Sequence, residues 1–206
     1  MVVVGSLPLE VLLRIGTAHT VRAEVGRTID VSGDVEVSLG ARPLIPQIMT
    51  RSVSTVTVSL ESAACDGLDF QDITLVGTDV RTDVPYVHDL TLRAVVTPGA
   101  LQAALDRDGG ESVSVTTGAG SLVVTARADD RQHLVDVSVL GDRRVVLVAR
   151  PSPSTDPALA ERIGRLSFDA SCPVPFGWVD DATVSDEGIV LTGGTDAAAL
   201  YEREAF

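Results

Sequence analysis

Lysine and asparagine are both missing from this chain of 206 residues, so all 16 of its basic side chains are arginine. The codons of the two missing residues are A/T-rich, which marks a high-GC bacterial genome rather than a chemistry. Aromatic residues are scarce: one Trp, two Tyr and four Phe. A buried core must therefore be filled by Val, Leu, Ile and Ala. Acid outweighs base, with a formal net charge of −13. That balance argues against nucleic acid, whose binding draws most of its affinity from a basic footprint. It argues equally against adsorption to anionic lipid through basic clusters, so any membrane contact must be apolar, local and peripheral. No apolar run approaches the roughly 18 residues of a membrane-spanning helix.

The short start Met1-Val2-Val3-Val4-Gly5 lacks the basic region and the apolar length of an intact signal peptide. This gives two expectations, a cytoplasmic protein or a chain without its leader. Cys65 and Cys172 leave both open, since they pair in an exported protein or stand unpaired in a core.

The length bounds one domain or two small ones, and no repeat or low-complexity tract divides it, so residues 1–206 read as a single domain. Ser6 to Arg27 has the spacing of an amphipathic helix and makes residues 1–27 a helical lead-in. Val35, Val37 and Leu39 alternate as a half-buried strand, and Leu44 to Met49 follows as a short apolar helical turn. Ser54 to Leu60 alternates again. From Leu68 to Val84 the apolar phase slips by one residue near Asp72, the mark of a bulge in a long strand. After the strand Val87 to Val96, Thr97-Pro98 is a cap followed by Pro at the first helical position, predicting a helix over 98–105. Residues 112–149 read as a four-stranded antiparallel meander. Asp156-Pro157 repeats the cap signal for a helix over 157–166. Val179 to Val184 and Ile189 to Thr192 form a hairpin around Ser185-Asp186-Glu187-Gly188. Residues 195–206 are a tail. The fold class is α+β: one curved, mostly antiparallel sheet wrapping a few short helices.

Catalytic and metal chemistry find little footing. No Ser stands in a G-x-S-x-G elbow, and His19, His88 and His133 have no nucleophile at a telling spacing. The cysteines lie far apart with no His at zinc spacing. Asp66, Asp69 and Asp72 alternate faces on a strand rather than converge, and Gly193-Gly194 ends a strand with no Lys to make a phosphate loop. The expectation is a protein that is not an enzyme and needs no cofactor or metal.

Three apolar segments interrupt the strands: Leu44 to Met49, Leu101 to Leu105, and Pro173 to Trp178. They either plug the sheet as ordinary core or line and gate an apolar cavity. The amphipathic ring of Trp178, after Pro175-Phe176-Gly177, suits a cavity rim.

Four stretches together resemble the LmeA-like phospholipid-binding family of bacterial cell-envelope proteins. They are Val35-Glu36-Val37 through Arg42-Pro43-Leu44-Ile45-Pro46-Gln47-Ile48; Ser54 to Leu60 with Gly67-Leu68-Asp69-Phe70-Gln71-Asp72-Ile73; Leu92 to Leu105; and Pro173 to Leu191. The likeness runs over roughly residues 20–194. It implies an elongated tubular lipid-binding fold with an axial apolar cavity, binding of phospholipid including phosphatidylinositol, and a place at the cell envelope or periplasm. On that implication the cavity candidates are Leu44, Ile45, Ile48, Met49, Val56, Val58, Leu60, Leu101, Leu105, Leu159, Ile163, Val174, Phe176 and Trp178. Arg42, Arg143, Arg144 and Arg150 are head-group candidates, because a guanidinium fork matches phosphate; their other reading is solvation of a sheet edge. The competing function is an interaction domain with a filled core that contacts a protein partner through its sheet edges. A hydrolase with a non-obvious site stands third.

Overall fold

The hydrophobic alternation of the chain becomes eleven strands and three helices in a computed structural model that describes residues 31–40, 43–65, 67–81, 87–109, 112–118, 120–141, 144–152, 156–169 and 179–196. Strand β1 (Val31–Leu39) leads through helix α1 (Leu44–Met49) to the long hairpin β2 (Ser52–Cys65) and β3 (Leu68–Arg81), then β4 (Asp89–Val96). Helix α2 (Pro98–Arg107) crosses to the meander β5 (Val113–Gly118), β6 (Ser121–Ala126), β7 (Gln132–Leu140) and β8 (Arg144–Ala149). Helix α3 (Pro157–Arg165), the two-residue β9 (Phe168–Asp169) and the hairpin β10 (Val179–Ser185) and β11 (Gly188–Asp196) complete it.

The strands divide between two antiparallel sheets, where one curved sheet was expected. The first has the order β1-β2-β3-β4-β11-β10, the second β5-β6-β7-β8-β9. The division follows from chain order: α2 carries the chain off β4, and the last hairpin returns to the edge β4 left open, pairing Ile189 with Val96. Helix α2 packs on β3 of one sheet and β5 of the other, α3 packs on β8, and β10 lies against β7. One core results, running through both sheets and through α2 and α3, from Val58 and Phe70 to Leu147 and Ile189. Phe70 and Phe168, one from each sheet, meet edge to face with ring centroids 5.8 Å apart.

Local chemistry accounts for the boundaries. The Thr97 hydroxyl accepts from the N–H of Ala100 at 3.3 Å and an Asp156 carboxylate oxygen from Ala158 at 2.8 Å, each with Pro next in the chain. The slip at Asp72 is a bulge: that residue has φ +49°, and the β3–β4 register shifts between Gln71 and Thr74. Gly188 has φ +138° and sits so close to the Val96 carbonyl that a side chain there would collide with it. Several boundaries differ from expectation; β2, for one, runs on to Cys65 where Leu60 was the expected end. Strand β11 continues through Gly193-Gly194 to Asp196 because Leu92 to Asp89 pair with it to the end, so Thr195 and Asp196 belong to a strand rather than a tail. Strand β9 had no alternation to announce it. The helix over 6–27, the pairing of Cys65 with Cys172 and the segment 173–178 lie outside the residues whose structure and side chains are described.

Candidate functional site

Register places most of the apolar residues of the first sheet on one face, with Val76 and Val95 on the other. Val35, Val37 and Leu39 of β1 pair with Leu60, Val58 and Val56 of β2. These pair in turn with Ile73, Leu75 and Gly77 of β3, and Leu75 pairs with Leu92. The other face carries Glu36, Ser59, Thr74 and Arg93 in one row and Ser38 and Thr57 in the next. The sheet is thus amphipathic across its thickness, as a period of two requires. Along its apolar face the burial changes row by row: Leu60 and Ile73 are buried, the next row mixes buried Val58 and Leu92 with half-buried Leu75, and in the row beyond Leu39, Val56 and Leu90 are only half-buried. Farther along β2, beyond Val56, sits α1. Gln47 fastens it, accepting from the Ser54 N–H at 2.6 Å and donating to the Pro43 carbonyl at 2.9 Å. Within the helix Leu44 is buried and Ile45 half-buried, while Ile48 is 40% and Met49 81% exposed.

Of the residues nominated from sequence, Val58, Leu60, Leu101, Leu105, Leu159 and Ile163 come together in the common core, with Val56 packed against it. Leu44 is buried with α1 against β2 and outside that cluster, and Ile48 and Met49 point away from any core. Val174, Phe176 and Trp178 lie outside the described residues, as do Arg42 and Arg143. The two remaining arginines do not converge. Arg144 and Arg150 stand six positions apart at the two ends of β8, about 20 Å of strand. Arg150 is also engaged on the surface. Its Nε and Nη2 donate to Oδ1 of Asp136 at 2.8 and 2.6 Å. Those hydrogen bonds hold the Asp136 carboxyl below the usual carboxylate range and raise the guanidinium in return.

Sequence reasoning passed over a second feature, at the end of β3 remote from α1. The C-terminal ends of α2 and α3 meet there around a cleft of about 410 Å³. Its floor is apolar, made by Leu68, Ala104, Leu105, Leu166 and Phe168; its rim carries Arg107, Asp108 and Arg165, and buried Arg162 stands in its wall. The buried Arg162 donates from Nη2 to the Leu105 carbonyl at 2.6 Å, tying α3 to the last turn of α2. Arg107 donates from Nη1 to the Gly67 carbonyl at 2.6 Å, and Arg165 lies 3.8 Å from Asp108. Gly67 has φ +78°, and a side chain there would run into Arg107. Each arginine falls in the last turn of a helix that the sequence announces by its cap. That signal reads as compensation of a helix dipole; only the tertiary fold brings the two ends together.

Among the described residues little is set up for proton transfer or metal binding. His133 is fully buried on β7 with neither ring nitrogen hydrogen-bonded, and His88 is exposed beside Asp89. Among the described residues no three His, Cys, Asp or Glu side chains are grouped as metal ligands, and no helix is long and apolar enough to cross a membrane.

A family model described as LmeA-like phospholipid-binding matches residues 10–194. No curated protein and no solved structure matches the chain.

Proposed function

Since the chain belongs to the LmeA-like phospholipid-binding family, we propose that it holds phospholipid without catalysis, as a carrier at the bacterial cell envelope. The acyl chains lie along the apolar face of the first sheet. The observation that carries this reading is the burial gradient on that face, from the row of buried Leu60 and Ile73 to the row of half-buried Leu39, Val56 and Leu90. A continuous apolar surface that the fold only half covers is what a removable apolar ligand needs. The exposed Ile48 and Met49 on α1, at the half-buried end, supply the peripheral contact with a bilayer. They do so by apolar insertion, the mode left to a chain of net charge −13.

The energetics suit exchange. Withdrawing two acyl chains of about fifteen methylenes from water is worth on the order of 25 kcal/mol at roughly 0.8 kcal/mol per methylene. A lipid already in a bilayer has that gain, so a surface of Val, Leu and Ile only matches it. Transfer between membrane and protein is then close to neutral, which favours a carrier over a trap.

Native mass spectrometry of the purified protein tests the reading. The expected result is co-purifying phospholipid that is lost in Val56→Glu, with the circular dichroism spectrum unchanged. A bare mass together with no lipid-dependent shift in melting temperature would reject it, in favour of the filled-core interaction domain.

A further inference from the structure

We infer that the arginine-rimmed cleft between the ends of α2 and α3 is a seat for a phosphate group, separate from the half-buried face near α1. Three of the chain's 16 arginines line this one cleft in a protein of net charge −13, so the local sign opposes the global one. Helix ends alone do not call for that much cation. Each helix C-terminus is equivalent to about half a negative charge, and Asp108 adds one more carboxylate. Three guanidiniums exceed that sum.

Their commitments also differ. Arg162 is buried and bound to the Leu105 carbonyl, so it anchors the wall. Arg107 and Arg165 are rim residues. A guanidinium has five N–H donors; Arg107 places one on the Gly67 carbonyl, and Arg165 stands beyond hydrogen-bond reach of Asp108 at 3.8 Å. Forked donors on two sides of one opening suit the tetrahedral oxygens of phosphate better than a lone carboxylate.

The floor sets the rest of the ligand class. Leu68, Leu105 and Phe168 belong to the common core yet line the cleft, so the carbon skeleton esterified to the phosphate rests against an apolar floor. A volume of about 410 Å³ is near the small end of the roughly 300–1,000 Å³ of ligand pockets. It has room for a phosphate and the first carbons bonded to it rather than for whole acyl chains. The ligand is thus the polar end of a phospholipid, and free phosphate is the other source of the same chemistry. The inference rests on the phospholipid reading only for that choice of source.

Calorimetric titration of the full chain separates the possibilities, with dihexanoyl phosphatidic acid, dihexanoylglycerol and inorganic phosphate as probes. The expected order is tight binding of the phosphatidic acid, weaker binding of inorganic phosphate and none of the neutral glyceride. Arg107→Gln and Arg165→Gln each weaken phosphatidic acid by roughly tenfold, the change that one charge-assisted hydrogen bond makes, and Arg165→Lys recovers only part. Both positions are exposed, so these variants keep the fold. Inorganic phosphate bound as tightly as the lipid, and lost in the same variants, keeps the seat but assigns it to the free anion. Phosphatidic acid bound equally by wild type and both variants overturns the seat while leaving the phospholipid reading standing. No binding of any probe overturns the seat as well; co-purified lipid then decides the phospholipid reading by itself.

Discussion

The Asp136–Arg150 pair shows what a single charge contact does at a surface and what it does not. Because the hydrogen bonds from Arg150 lower the folded pKa of Asp136, the stability linked to it is present above the ordinary carboxylate value, about 3.9. It is lost as pH falls through the lower folded value. Solvent screening keeps such pairs weak, so the readout is the titration itself. In a carboxyl-detected NMR titration, Asp136 is expected to protonate below the ordinary carboxylate value and to return toward it in Arg150→Gln. An unchanged midpoint would remove the pair as the cause. Residue by residue, the sequence disclosed whatever depends on neighbours in the chain. Asp72 is an example, since a bulge shifts the apolar phase within a few positions. It could not disclose the pairing of Phe70 with Phe168 or the meeting of Arg107 with Arg162, because each needs two elements far apart in the chain to be docked first.

Among the elements, the two capped helices were legible in the sequence and also carry separable energies. Thr97→Ala and Asp156→Ala each remove one acceptor from an orphan helix N–H, a loss of about 1 kcal/mol. The caps belong to different helices, so the double variant is expected to lose the sum within about 0.5 kcal/mol in urea unfolding. A much larger loss would mean that α2 and α3 are coupled through the Arg162 tie. The meander and the last hairpin were legible because their turns are short and their strands alternate. The split into two sheets was not: alternation assigns a strand a face but never a neighbour, and β4 takes β11 across the whole intervening meander. Strand β9 is too short for any periodicity, and the expected end of β11 at Gly193-Gly194 failed because backbone pairing with β4 outweighs the low strand preference of glycine.

At the scale of the whole molecule, one core threads both sheets with α2 and α3, so unfolding is expected as a single cooperative transition. Calorimetric and van't Hoff enthalpies should agree, and two resolved transitions would separate the first sheet from the meander. The strand order also bears on biosynthesis. On the ribosome β4 emerges well before the hairpin that flanks it, and until β11 arrives its outer edge offers a row of unsatisfied amides and carbonyls to any passing strand. A nascent or truncated chain ending before Gly188 is therefore the sticky form of this protein, and the final hairpin is the latch that makes it safe.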